Sequence, residues 1–133
     1  MHVAIPTEDM DALLWMRRAI PPGTLVHQPP EAPFIYGGRD AWVPIFAGRP
    51  IYAGPRGVVT SHALEDARAI SQEHSAAALW AICRDRGIEV LYVSRTLEPD
   101  VAPAREALLA SDARRFRKLF GNGRVSIWRV VGV

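Results

Sequence analysis

At 133 residues the chain is long enough for one domain with an enclosed core, and 49% hydrophobic against 23% charged residues excludes a disordered or collagen-like polymer. A formal charge of +2 is a mild basic excess that does not demand nucleic acid, and a single cysteine, Cys83, excludes an internal disulfide. No stretch approaches the ~18 consecutive apolar residues of a membrane span, and Glu8, Asp9 and Asp11 stand where a signal peptide would be basic and then apolar, so no leader is expected.

Thr7 is placed to cap a first helix, with Glu8 and Asp9 suiting the positive end of its dipole. Ala12, Trp15, Met16, Ala19 and Ile20 recur at helical spacing and form one apolar stripe. Pro21-Pro22-Gly23 stops the helix, and residues 24–28 (TLVHQ) read as a short strand. Residues 29–40 are a long loop, because Pro29, Pro30 and Pro33 cannot donate to a ladder. A short helix is expected over 39–47, with Asp40 near its start and Gly48 leaving it at positive φ. A strand over 50–54 follows, with Pro50 in its first position, then a loop from Pro55 to Ser61.

From His62 or Ala63 to Arg86 the pattern is helical, with a break near Ser71. Ala63, Ala67, Ile70, His74, Ala77, Ala78 and Ala81 trace a stripe that Leu79, Trp80 and Cys83 widen, a face broad enough to pack on a sheet. Gly87 ends the helix, and residues 88–94 (IEVLYVS), β-branched and aromatic, are expected as a central, buried strand. Another short helix occupies 102–111. Phe116, Leu119 and Phe120 fit a helix face, but Asn122-Gly123 between two strand-like runs is a hairpin signal, and the hairpin is preferred because residues 124–130 need a partner. The alternation predicts one α/β domain over 1–133: a parallel or mixed sheet of about five strands covered by helices, with a C-terminal β-hairpin at one edge.

Signs of chemistry are sparse. His2, His27, His62 and His74 have no His-x-x-x-His or Cys-x-x-Cys spacing, so neither a metal nor a cofactor is expected, and His74 on its apolar stripe reads as packed. Cys83 lies near the C-terminal end of its helix, where the dipole disfavours a thiolate, and reads as core. Gly37-Gly38 could nest a small anion, but without GxGxxG or a Walker pattern two glycines are enough to make a turn. No spacing brings two of Glu31, Asp40, Glu65 and Asp66 together as an acid–base pair, so no catalytic residue is named. Arg114, Arg115, Arg117, Lys118 and Arg124 interleave with aromatics, as in contacts with nucleic acid or an anionic membrane. A charged edge that discourages strand pairing explains them more simply, and nucleic acid is not expected.

Four segments occur in order: MDALLWMRRAIPPGTLV (10–26), WVPIFAGRPIYAG (42–54), LWAICRDRGIEVLYVS (79–94) and FGNGRVSIWRV (120–130). Together they resemble the soluble C-terminal domain that follows the membrane spans of polytopic glycosyltransferase-like proteins, of the mannosyltransferase and oligosaccharyltransferase type that use lipid-phosphate sugars. The resemblance implies a non-catalytic accessory domain cut from a larger membrane protein. It would act on the non-cytoplasmic side as lid, scaffold or partner contact, with the transmembrane portion of the same protein as partner and an anionic membrane surface nearby. The acidic catalytic residues of such enzymes have no counterpart here. The alternative is a free-standing small-molecule-binding or enzymatic α/β domain. Its site would lie at the carboxyl ends of the strands, near His27, Gln28, Tyr36, Arg39, Tyr52 and Arg56.

Overall fold

A computed structural model describes residues 5–28, 47–48, 70 and 75–132. The first helix, α1, spans Thr7–Ala19. Pro6 is its N-cap and makes no side-chain bond, so the expected Thr7 cap is not formed. Proline suits this place: its φ is fixed at −56°, and its carbonyl accepts the first helical bond from Met10 N–H at 3.0 Å. The buried face is Asp9, Ala12, Leu13 and Met16, with Ile20 just beyond. The stripe is therefore rotated from the expected one. Leu13 replaces Ala19, which is exposed, and Trp15 is only half-buried. Asp9 accounts for the rotation, because strand hydroxyls hold it on the inner face.

Strand β1, Val26–His27, pairs in parallel with β2, Val90–Ser94, in the register Val26↔Val90. Helix α2, Ala76–Arg86, lies between them in the chain. Ile70 is helical but Ser75 is extended, so the helical pattern is interrupted by Ser75; the expected break near Ser71 lies outside the described residues. Ser75 restarts the helix by accepting a bond from Ala78 N–H at 3.3 Å through its hydroxyl. Gly87, at φ 73°, ends it, and Ile88 N–H returns to the Cys83 carbonyl at 2.9 Å. Leu79 and Cys83 form the buried face, while Ala77 and Ala81 of the expected stripe are exposed. The small alanines leave the inner position to the larger side chains, which remove more apolar surface from water.

Helix α3, Ala102–Ala110, leads to β3, Phe116–Gly121, and β4, Val125–Val130. The described strands form a mixed sheet in the order β1-β2-β4-β3, with β2 and β4 antiparallel. All five residues of β2 are buried, as a central strand requires. The hairpin is present, so residues 116–120 are strand and not helix. Asn122 closes it: its Oδ1 accepts from Arg124 N–H at 3.0 Å and from Val125 N–H at 2.8 Å. A bulge falls between Lys118 and Phe120, leaving Leu119 as the extra residue.

Alternation along the strands sorts the core into two faces. Val90, Tyr92, Val125 and Ile127 pack with α1, whereas Leu91, Val93, Trp128 and Val130 pack with α2 and α3. Helices thus cover both sides of the sheet. Gly48 has φ 67°, as its role as a helix stop predicts. The strand expected over 50–54, most of the helix over 39–47 and the loop over 29–40 lie outside the described residues.

Candidate functional site

The carboxyl end of the parallel pair is where an α/β sheet ordinarily binds a ligand. Of the six residues expected there, Tyr36, Arg39, Tyr52 and Arg56 lie outside the described residues. His27 and Gln28 are brought together at the end of β1, at 5% and 4% exposure. Beside His27 is a cavity of about 10 Å³, room for one water, shared with Glu98 and the buried Arg105. Burial, and secondarily the Arg105 charge, hold the imidazole pKa down to about 3, so His27 is neutral at physiological pH. Cys83, in the core of the same face, has its thiol pushed up to about 12 by burial and is not a nucleophile.

A second polar cluster centres on Asp9, which is fully buried. Its Oδ1 accepts from Tyr92 Oη at 2.8 Å and Ser94 Oγ at 2.6 Å, and its Oδ2 from Thr96 Oγ1 at 2.6 Å. Arg124 Nη1 donates to Thr96 Oγ1 at 3.3 Å. Three hydroxyls and the positive end of α1 replace the water that the carboxylate loses, a clamp between helix and sheet.

The roomy site lies at the opposite end of β2. A cleft of about 530 Å³ opens between the last turn of α1, the start of β2 and the hairpin, within the range of small-molecule sites. Arg84, Arg117 and Arg129 line it against one acid, Glu89, and Trp15 and Leu119 give it an apolar wall. Arg117 and Arg129 are direct register partners across β3 and β4. Both are exposed, and alternation from Val125 and Ile127 puts Arg129 on the α1 side. Among the described residues neither has an ion-pair partner. The described lining carries no histidine or cysteine, and its one hydroxyl, Thr24, is spent on the Pro21 carbonyl at 2.7 Å. The described lining offers cations and an apolar wall and holds no nucleophile or acid–base pair. Among the described residues no cluster of three or more His, Cys, Asp or Glu side chains could hold a metal ion.

No protein-family model matches the chain, and no curated protein matches it in sequence. A solved structure does match in shape. The chain is similar in fold to the C-terminal globular domain of an oligosaccharyltransferase from Archaeoglobus fulgidus. The TM-score is 0.65 over 97% of this chain and 100% of that one, at 13% identity. The likeness is therefore one of fold, and it agrees at that level with the resemblance read from the four ordered segments.

Sequence reasoning missed both Asp9 and the arginine cleft. Asp9 stands three residues before Ala12 on the same helical stripe, a periodicity signal that its first-turn position masked. Arg129 continues the alternation of Val125 and Ile127, so a cation on an inward-facing strand position was legible there.

Proposed function

We propose that the chain is a non-catalytic accessory domain of a membrane-embedded glycosyltransferase-like protein. It acts as lid, scaffold or partner contact on the non-cytoplasmic side, with the transmembrane portion of the same protein as its partner. The observation that carries this reading is the fold likeness to an oligosaccharyltransferase C-terminal domain over nearly the whole of both chains. The chemistry of the described residues supports it. His27 is held neutral, Cys83 is held protonated, Asp9 accepts from three hydroxyls, and the described lining of the large cleft has binding groups only. No helix among the described residues is long and apolar enough to cross a membrane, so the anchoring spans belong to another part of the protein in this reading. The exposed cations Arg114 and Lys118 fit a position near an anionic membrane surface.

The complete reading frame that contains these residues tests the proposal. It should encode many hydrophobic spans beside this domain. A frame encoding the domain with no such span overturns the reading.

A further inference from the structure

We propose that the cleft between α1 and the hairpin binds an organic phosphate. Arg117 and Arg129 take the phosphate oxygens, and the body of the ligand lies along Trp15 and Leu119. The inference uses only the cleft and is independent of the accessory-domain reading.

Like charges directly opposite on paired strands repel, and Arg117 and Arg129 occupy such a pair. Among the described residues no carboxylate pairs with either. Glu89 is the one acid in the described lining, against three arginines counting Arg84. A bound anion would relieve that excess. Guanidinium forks match phosphate oxygens in bidentate fashion, and two arginines side by side can present two forks to one group. Phosphate is favoured over a carboxylate because its several oxygens can engage both forks at once.

The shape points to more than a bare ion. About 530 Å³ is far larger than an inorganic anion needs. The wall beside the arginines is made of Trp15, Ile20, Leu119 and Val130, which offers a ring or chain a place to leave water. The β-bulge builds this wall: the residue inserted at 119 lets Leu119 and Phe120 both pack on the α1 side, where Phe120 meets Trp15 with ring centroids 5.2 Å apart. Glu89, the one acid of the described lining, is an acceptor for a hydroxyl on the ligand body.

The test is calorimetric titration of the full chain with inorganic phosphate and with phenyl phosphate, beside flotation with phosphatidylcholine vesicles with and without phosphatidic acid. Phenyl phosphate should bind more tightly than inorganic phosphate. The Arg117→Gln/Arg129→Gln variant should lose about tenfold or more in affinity. Arg114→Gln/Lys118→Gln removes the same charge outside the cleft and should bind inorganic and phenyl phosphate as the unaltered chain does. Trp15→Ala should erase the advantage of phenyl over inorganic phosphate. In the unaltered chain, the Nε–Hε NMR signals of Arg117 and Arg129 should shift on titration, a readout that needs no variant. Binding of phenyl phosphate alone indicates a free metabolite as source; cleft-dependent binding of phosphatidic acid vesicles indicates a lipid headgroup. Equal loss of phosphate affinity in the two double variants, or no binding of either phosphate or of vesicles, overturns the proposal.

Discussion

The hydroxyl of Tyr92 donates a 2.8 Å hydrogen bond to Oδ1 of Asp9, joining the first turn of α1 to the central strand across 83 residues of chain. Burial, then the Asp9 charge and this bond, raise the phenol well above its ordinary value, so Tyr92 stays a donor at any working pH. With Ser94 and Thr96 it supplies hydrogen bonds to a fully buried carboxylate. Asp9→Ala, which strands three buried or half-buried hydroxyls, should cost about 3 kcal/mol, and Tyr92→Phe about 1–2 kcal/mol. Urea unfolding of the two variants and their combination should show a coupling of roughly 1 kcal/mol. A loss below about 0.5 kcal/mol for Asp9→Ala would show that the clamp does not hold the helix.

His27 predicts an acid-sensitive fold. Its folded pKa of about 3 lies below the ordinary 6.5, so between those values the unfolded chain binds a proton that the folded chain does not. Stability from this group is complete above the unfolded value and is lost as pH falls from 6.5 toward 3, at up to about 1.4 kcal/mol per pH unit. His27→Gln should flatten this limb of a stability profile followed by circular dichroism. An unchanged limb would mean that His27 does not carry it.

Cys83 should be silent to thiol reagents while the protein is folded. Its thiol is fully buried and held near 12, so labelling should proceed only through opening of the structure and speed up in denaturant. Cys83→Ala should cost about 1–2 kcal/mol through the lost packing. Rapid labelling in native buffer would contradict the packing described here.

Gly87 ends α2 at φ 73°, where nothing crowds an added Cβ, so the cost of Gly87→Ala is backbone strain alone. Thermal unfolding should show a loss of about 1–2 kcal/mol. Gly123→Ala, in the hairpin but not at positive φ, should be nearly neutral.

How much of this was legible in the sequence follows from the range of the forces involved. Local signals read well. Gly48 and Gly87 mark helix ends at positive φ, residues 90–94 form the buried central strand, and Asn122 closes the hairpin. Even there the turn works through the Asn122 side chain, and Gly123 is not at positive φ. Long-range partners were hidden. Asp9 has a sufficient local explanation at a helix start, which conceals hydroxyls more than eighty residues away, and those hydroxyls set the rotation of α1. Arg117 and Arg129 are ordinary hairpin cations until the register sets them opposite one another. The cleft lies at the start of β2, whereas reasoning from α/β sheets pointed to its carboxyl end.

On the proposed function, this domain serves a membrane-embedded glycosyltransferase-like protein from the non-cytoplasmic side. The most direct measurement is fractionation of the source cells, probed with an antiserum to this chain before and after protease treatment of intact cells stripped of their wall. The account predicts antigen in the membrane fraction, resistant to alkaline extraction, on a species heavier than 14.7 kDa and cleaved by external protease. A soluble species of 14.7 kDa, protected inside the cell, would contradict it.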